Sequence, residues 1–294
     1  MTHTTTYPNS PLIKGDGQRP EGLTYKPTFM QKLLGRNYKW WYIVRQSFKS
    51  NTTYRYNSLA WLLSSIVLVL GTLTVWYINY SQSGVLSPDF KEIFTYFVIG
   101  EGFIFASAIQ FDIGENIKDG KFSNKLLMPT NYLKYYFCYQ FGYQLFENLS
   151  KLIVYLGLAL ALNQFLILPA ILNFCGFLIA IVIAYLLNVA IGIIIGGSAF
   201  FLTAFYGSAS LFDSLRLVFS GRLFPFNKLN ILKPLAFTPF AFTFYHPMQI
   251  YLGKYDFNQT LMVFAGGIAW CVVLYFLAKW IFKMGLKRNE AVGL

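Results

Sequence analysis

Five ionisable side chains lie inside otherwise apolar stretches of the sequence: Glu101, Glu147, Lys151, Asp213 and Arg216. An ionisable group in hydrocarbon costs about 3 kcal/mol on insertion scales, so such groups normally face protein or water. Glu147 lies four residues before Lys151, and Asp213 lies three before Arg216, so each pair shares one helix face. We therefore expect two self-neutralising structural pairs, with a polar transport route as the alternative role.

Glu101 is the one acid between residues 93 and 111, and it lies between two glycines, Gly100 and Gly102. Small residues on a membrane helix allow a second helix to approach closely. The carboxyl group therefore either meets an internal partner or lines a polar path. Its sequence context leaves both interpretations open.

Motifs for nucleotide, metal or hydrolytic chemistry do not occur in the printed sequence. It contains no G-x-x-x-x-G-K-[ST] loop, no H-E-x-x-H and no G-x-S-x-G. His3 lies in the polar N-terminal part, and His246, which precedes Pro247, is expected to have a structural or turn role. A membrane enzyme would have His246 as its one conspicuous candidate, and we expect no cofactor or metal on this chain. Three cysteines far apart in the sequence predict buried apolar positions: Cys138, Cys175 and Cys271.

The composition indicates a polytopic membrane protein with an all-α fold. Of the 294 residues, 55% are hydrophobic and only 12% are charged, about half the charged share of a typical soluble domain. So few charges cannot cover a soluble surface of this size, whereas lipid can cover an apolar one. The formal net charge is +12, but the basic residues cluster at chain ends and loops. This clustering favours membrane orientation over nucleic-acid binding.

Runs of about 20 mostly apolar residues predict six transmembrane helices within a domain of residues 58–294. Five spans are clear, and the weak fifth span contains Asp213 and Arg216. The fourth run is too long for one straight crossing, so it should tilt or extend beyond the bilayer. The predicted spans are 58–80, 90–111, 141–163, 169–205, 208–222 and 259–283.

Three further segments complete the predicted organisation. Residues 1–27 are rich in Pro, Gly, Thr and charge, which is typical of a flexible cytoplasmic tail. Residues 28–57 mix aromatic and basic side chains, which predicts an amphipathic interfacial helix or, alternatively, a basic flank of the first span. Between the last two spans, four prolines exclude one continuous helix, so short re-entrant or outer helices are expected there.

The distribution of lysine and arginine predicts the orientation. With the N-terminus inside, seventeen Lys and Arg residues lie in inner segments and five in outer ones. This difference follows the positive-inside rule. Six crossings then place both termini in the cytoplasm, with the protein in the cell membrane.

The inner loop between the second and third spans could form a short amphipathic helix. Ile113, Ile117, Leu126 and Leu127 are spaced for one helix face, and Gly120 interrupts the run. Such a helix below the membrane could enter a groove on a soluble partner. A simple surface connector is the alternative.

Four short patterns occur in order along the chain. They are Tyr54-Arg55-x-Asn57; Ile117-x-x-Gly120-x-x-x-x-x-Leu126-Leu127-x-Pro129; Ser220-Gly221-x-x-Phe224-Pro225 with Thr238-Pro239-Phe240 and Tyr245-x-Pro247; and Gly285-Leu286-Lys287-Arg288-Asn289-Glu290-x-x-Gly293. Together they resemble the membrane subunit of type-2 ABC exporters, a family with six spans and a separate ATPase chain. The resemblance covers most of residues 30–294. The long N-terminal tail goes beyond the usual pattern of that family.

The resemblance implies a permease subunit that moves a substrate outward through a dimer interface lined mainly by spans one, two and five. The substrate would be a drug, peptide, lipid or glycoconjugate. ATP and Mg would be bound by two copies of a partner ABC ATPase, and a second permease copy would complete a homodimer or a heterodimer in the lipid bilayer.

The resemblance also implies roles for particular residues. The inner loop would dock the ATPase through Asp112, Glu115, Ile117, Lys118, Gly120, Leu126, Leu127 and Pro129. Glu101, Asp213 and Arg216 would line the translocation path or be structural. The proline-rich outer segment suits a gate on the exit side, formed by Pro225, Pro239, Phe240, Tyr245 and Pro247.

The alternative function is an ion-coupled secondary transporter or a channel that needs no ATPase. Glu101, Glu147 and Asp213 would then carry the coupling ion. Transporters of that kind often contain repeats of interrupted helices, and the two halves of this sequence show no such repeat.

Overall fold

The computed structural model describes residues 37–53, 55–80, 87–103, 108–122 and 131–291. These ranges contain no strand, which confirms the predicted all-α fold for this part of the chain. Residues 39–294 belong to one compact unit. The described helices are α1 Tyr38–Thr53, α2 Arg55–Tyr80, α3 Pro88–Phe103, α4 Ile109–Lys118, α5 Tyr132–Ala161, α6 Ile171–Gly197, α7 Phe205–Phe219, α8 Tyr245–Tyr251 and α9 Phe257–Ala291.

Three helices in the described ranges are long and apolar enough to cross a bilayer. They are Leu59–Tyr80 within α2, Ile171–Phe200 at α6, and Phe257–Arg288 within α9. The 35 residues of α9 extend about 50 Å, which exceeds the roughly 30 Å of a hydrocarbon core. α3 and α7 are shorter, and α5 is more polar, so the count of six crossings remains a prediction.

α6 lies at the centre of the described fold, with α4, α8 and α9 packed on it. The residues of α6 between Leu187 and Gly197 are mostly buried, whereas α2 and α9 expose apolar side chains along most of their length. A methyl group added at Gly196 would touch Ile113 of α4, and one at Gly197 would touch Phe282 of α9. The two glycines therefore allow helices to pack closely on two sides of α6.

The predicted fourth span, 169–205, is not a single helix. α6 ends at Gly197, a 3-10 turn follows over Ser198–Phe200, and α7 begins at Phe205. Ala199 and Phe205 are buried at this break. The residues between α6 and α7 are mostly apolar even though Leu202, Thr203 and Ala204 are exposed, so hydropathy could not reveal the break.

The helix that contains most of the third predicted span, 141–163, begins nine residues before that span. α5 starts at Tyr132, and Asn131 caps it because the Asn131 side-chain oxygen accepts hydrogen bonds from the amides of Leu133 and Lys134. The first turns of α5 contain aromatic and polar residues, so their hydropathy is too low for an apolar run to be recognised there. The helix therefore carries Lys134, which the sequence placed in the inner loop.

The three cysteines do not occupy the buried positions that the sequence predicts. Cys175 is exposed, and Cys138 and Cys271 are half-buried. Cys175 lies in α6 near other exposed apolar residues such as Phe174 and Leu178, so its surroundings are apolar even though it is not enclosed by protein.

α1 lies against α5 and falls within the segment predicted as an interfacial helix, of which residues 28–36 lie outside the described ranges. Ser47 Oγ donates to the Tyr139 carbonyl at 2.6 Å, and Asn51 Nδ2 donates to the Tyr143 carbonyl at 2.7 Å. Both side chains are buried. The contact of α1 with α5 is therefore fixed by polar side chains on one face. Its location at the membrane surface stays a prediction.

The outer segment, defined here as residues 225–256, is divided into short helical pieces. Two 3-10 helices, Asn230–Phe237 and Ala241–Thr243, precede α8. Pro234 lies inside the first of them, and Pro247 lies in the first turn of α8, where a missing amide hydrogen costs little. All seven residues of α8 are buried, because α8 packs on α6.

Candidate functional site

A cavity of about 360 Å³ lies among α2, α4, α5 and α7. Five ionisable side chains line it: Glu147, Lys151, Asp213, Arg216 and Arg222. Apolar parts of its wall come from Trp61, Leu68, Phe111 and Leu217. The fold thus brings together four of the five ionisable residues that the sequence places in apolar stretches, and the fifth, Glu101, binds Arg222.

Arg222 binds Glu101 through both carboxylate oxygens. Its Nε contacts Oε1, and its Nη2 donates to Oε2 at 2.6 Å. The Glu101 side chain in α3 is 3% exposed. Two charge-assisted hydrogen bonds in this geometry stabilise a carboxylate that is removed from water. Glu101 therefore has an internal partner, which is one of the two interpretations that its sequence context leaves open.

Arg222 reaches α3 because the chain turns sharply at the end of α7. Gly221 has a φ of +79°, which residues other than glycine rarely adopt. Tyr96 Oη donates to the Gly221 carbonyl at 2.8 Å, and the Tyr245 amide donates to the Ser220 carbonyl at 3.1 Å. This turn directs the side chain of Arg222, one of the five basic residues that the sequence places in outer segments, into the polar cluster.

Asp213 and Arg216 form the pair that their spacing predicts, with 2.9 Å between Arg216 Nη2 and Asp213 Oδ1. The second carboxylate oxygen, Oδ2, accepts a hydrogen bond from Gln110 Nε2 at 2.7 Å. Gln110 is fully buried in α4. This bond therefore connects α4 directly to a charged residue of the cavity wall.

Glu147 and Lys151 do not form the direct pair that their spacing predicts. No ion pair within 4.0 Å joins these two described residues. Glu147 shares a side-chain hydrogen bond with Asn51 of α1, and its charge acts on Lys151 only at longer range. Lys151 is 8% exposed and lines the cavity. The acid that acts on it most strongly is Glu101, which Arg222 already binds.

α4 covers the first part of the predicted docking loop, and its apolar face is turned into the fold. Ile113 is fully buried, and Ile117 is half-buried against the core. Gly114 has no side chain, so the Phe205 ring at the start of α7 packs directly against the α4 backbone. The part of the predicted apolar face that Ile113 and Ile117 form is therefore covered by this chain itself.

The polar end of α4 remains exposed. Glu115, Lys118 and Gly120 are accessible, and Lys118 Nζ donates to the Leu202 carbonyl at 2.5 Å. Asp112 lies half-buried in the same helix. Leu126, Leu127 and Pro129 lie outside the described ranges, so the second half of the predicted docking loop stays a prediction.

The predicted outer-gate residues lie in or beside the packed part of the outer segment. Pro225, Tyr245 and Pro247 are buried, and Pro239 and Phe240 are half-buried. The Tyr245 ring lies 4.7 Å from that of Phe226, measured between centroids. The outer segment is therefore packed against α6 through these buried residues.

His246 is held inside the outer segment by both ring nitrogens. Nε2 lies 2.8 Å from the Ala236 carbonyl, and Nδ1 lies 2.8 Å from Tyr255 Oη. Because a carbonyl only accepts, Nε2 carries the hydrogen, and Nδ1 of the neutral ring accepts from the tyrosine hydroxyl. Burial lowers the pKa of His246, partly offset by the Ala236 bond, which favours this neutral form. This geometry fits the structural role expected from the sequence.

Ion pairs at the start of α3 hold the outer segment at two points, and sequence reasoning missed them. Lys228 Nζ lies 2.6 Å from Asp89 Oδ1, and Lys254 Nζ lies 2.7 Å from Glu92 Oε2. Asn227 also donates to Glu92, at 3.2 Å. Asp89 and Lys228 are 139 residues apart, so no local spacing could signal the contact. The hydrogen bond and charge of Lys228 lower the pKa of the Asp89 carboxyl.

Helices long and apolar enough to cross a bilayer, together with a cavity lined by charged side chains, are features of a membrane transport component. A comparison with protein-family models matches residues 58–293 to the family described as ABC-2 family transporter protein. Because the match spans most of the 294 residues, the chain belongs to this family, and the predicted resemblance to a type-2 ABC permease is confirmed. Membership implies a membrane setting and an ABC ATPase partner. Comparisons with curated proteins and with solved structures gave no match.

Proposed function

We propose that this chain is the permease subunit of an ATP-driven exporter. Its substrate moves outward through the cavity among α2, α4, α5 and α7, and the chain itself catalyses no reaction. A separate ATPase, in two copies, binds ATP and Mg and supplies the energy. A second permease copy, alike or different, completes the transporter in the cell membrane, with both termini of this chain in the cytoplasm.

The charged cavity is the observation that carries this proposal. Three acids and three bases from the described helices and the turn after α7 meet at or beside it, although most residues around them are apolar: Glu101, Glu147, Asp213, Lys151, Arg216 and Arg222. Ionisable groups at membrane depth are costly and typically mark the pathway of a polar substrate. Two of the acids, Glu101 and Asp213, are bound by arginines inside the protein, which lowers the cost of their burial while leaving the cavity wall polar.

The location of the cavity supports a route at the interface of two permease copies. α2 and α7 each contribute one side to the cavity and another side to the surface. The surface sides are apolar and include Leu63 and Val67 on α2 and Leu211 and Leu215 on α7. A second copy placed against them would enclose the route between two chains.

α4 supports a physical link from the ATPase to the cavity. Its exposed end, with Lys118 and the following Asp119, is the docking surface that we propose. Its buried part contacts α7 twice, through Gly114 against Phe205 and through the hydrogen bond from Gln110 to α7. Movement of α4 on ATP binding would therefore shift the cavity wall.

The outer segment is proposed as the exit gate. It packs on α6 and is fastened to α3 by Lys228 and Lys254, so it has defined contacts that could open and close. Cysteines introduced at 228 and 89 could be joined by a bifunctional thiol reagent whose spacer contains a cleavable disulfide. Export that stops on cross-linking and recovers on reduction would support the gate, and unchanged export after complete cross-linking would contradict it.

The decisive experiment reconstitutes the chain with its ATPase subunit in vesicles and follows ATP hydrolysis and substrate movement together. Charge reversal by Lys118→Glu with Asp119→Lys should lower ATPase affinity about tenfold or more, because rim charges steer and orient docking. Lys233→Glu, on the outer segment, is the matched control. ATP-independent flux driven by an ion gradient would reject the exporter and favour ion coupling.

The ion-coupled alternative is not favoured by the side-chain geometry. Two of its three proposed carriers, Glu101 and Asp213, are engaged by arginines, which remain charged at any physiological pH. A carboxylate held this way is a poor site for cyclic loading of an ion.

A further inference from the structure

Lys151 is the one cation of the cavity for which the described residues provide no contacting counter-ion. It lies in the middle of α5, is 8% exposed, and lines the cavity. The acids near it act only through longer-range electrostatics. By contrast, the two arginines of the cavity each contact a carboxylate.

Each acid of the cluster has another polar partner. Arg222 takes both oxygens of Glu101, and Asp213 is shared by Arg216 and Gln110. Glu147 lies four residues from Lys151 but forms its hydrogen bond with Asn51 of α1. The Lys151 ammonium therefore lines the cavity, while each of the three acids forms its close contacts with other residues.

An ammonium group withdrawn from water needs an anion or several acceptors to offset its desolvation. We propose that the Lys151 ammonium binds an oxyanion of the transported molecule, so that this permease moves an amphiphile with a phosphate or carboxylate group. The proposal rests on the proposed function, because it assigns a substrate class to the same cavity.

The rest of the wall fits the apolar part of such a molecule. Trp61 and Leu68 of α2, Phe111 of α4 and Leu217 of α7 provide apolar surface beside Lys151. The volume of about 360 Å³ lies at the lower end of the range for small-molecule pockets. A compact molecule with one charged group and one apolar chain therefore fits this cavity better than a large neutral molecule.

The test measures binding by the full chain in nonionic detergent with a matched set of probes. Dodecyl phosphate, dodecanoate and dodecanol share one alkyl chain and differ in the head group. Wild-type protein should bind one or both anions at least about tenfold more tightly than dodecanol. The two anionic arms distinguish a phosphate from a carboxylate ligand. Equal affinity for all three probes would overturn the proposal.

Lys151→Met and Lys151→Arg separate charge from shape. Lys151→Met should lower the affinity for the preferred anion about 30-fold or more and leave dodecanol binding unchanged, because only the anion loses a charged partner. Lys151→Arg should retain part of the preference. Lys279→Met, which removes an exposed lysine of α9, is the control and should bind like wild type. Unchanged anion binding in Lys151→Met would also overturn the proposal.

Two further measurements keep folding and function apart. A monodisperse elution profile and an unchanged melting temperature establish that a variant is folded, and Lys151→Gln replaces any variant that fails this check. ATPase association is measured on the same samples. Anion binding through Lys151 without ATPase association would contradict the proposed exporter alone, whereas ATPase association without anion preference would contradict this inference alone.

Discussion

Arg222 and Glu101 stand 121 residues apart in the chain, yet the guanidinium of one holds both carboxylate oxygens of the other. This pair joins α3 to the turn that follows α7. The Glu101 side chain is only 3% exposed, so its carboxylate would be costly to bury without the charge of Arg222 beside it.

Replacing Arg222 by Met should lower the free energy of unfolding by about 3–5 kcal/mol, because the Glu101 carboxylate is left buried without its counter-charge. Glu101→Gln combined with Arg222→Met removes both charges and should recover part of that loss, with Glu101→Gln alone completing the comparison. Unfolding in mixed detergent micelles measures both. Arg45→Met, at an exposed position of α1, is the matched control. Additive losses in the single and double variants would show that the two residues are not coupled.

Gly114→Leu should separate α4 from α7, because a larger side chain would collide with the Phe205 ring. We expect a destabilisation of about 1–3 kcal/mol, typical of overpacking. The more telling measurement is ATP hydrolysis without transport in reconstituted vesicles. Gly157→Ala is a suitable control because its methyl group meets open space, and a helical alanine should be neutral or slightly stabilising. Full coupling in Gly114→Leu would contradict the proposed link.

The Asp89–Lys228 pair should make the outer segment sensitive to acid. Since Lys228 lowers the pKa of Asp89, the pair stabilises the fold above the unfolded value of 3.8 and loses this contribution as pH falls through the folded pKa. Melting temperatures between about pH 7 and about pH 3 should show a small acid-dependent loss that Asp89→Asn removes. The loss should shrink in high salt because the Asp89 side chain is largely exposed. An identical pH profile in Asp89→Asn would reject the assignment.

His246 should produce a second acid effect at higher pH. Burial lowers its pKa in the folded chain, so the unfolded chain binds the proton first. Stability should therefore fall as pH drops below 6.5 and level off once the folded pKa is passed. His246→Phe keeps a ring beside Phe242 but cannot titrate, so this part of the pH dependence should vanish. The same variant loses two hydrogen bonds, worth about 1 kcal/mol each, at every pH.

The sequence was sufficient for features that depend on local pattern. Long apolar runs predicted the all-α fold, and the spacing of Asp213 and Arg216 predicted their contact. The four prolines of the outer segment predicted its division into short pieces, which the structure shows as two 3-10 helices and α8. In each case the cause lies within a few residues, where helix periodicity or a missing amide hydrogen acts directly.

Features set by distant contacts could not be derived in this way. The inward direction of the Arg222 side chain could not be foreseen, because it depends on the conformation of Gly221 and on the hydrogen bond that the Gly221 carbonyl accepts from Tyr96. The Glu147–Lys151 prediction was wrong because Asn51 of α1 offers Glu147 another partner. The break after α6 was hidden because the residues that form it are mostly apolar, so the hydropathy of the run does not fall there.

The shortness of α7 has a mechanical consequence. Its 15 residues span about 22 Å, with Phe205 seated on α4 at one end and the turn at Gly221 fixed by Tyr96 just past the other. We expect so short a helix, held near both ends, to move as one body. A shift at its α4 end would then displace Asp213 and Arg216 together with the turn at Gly221.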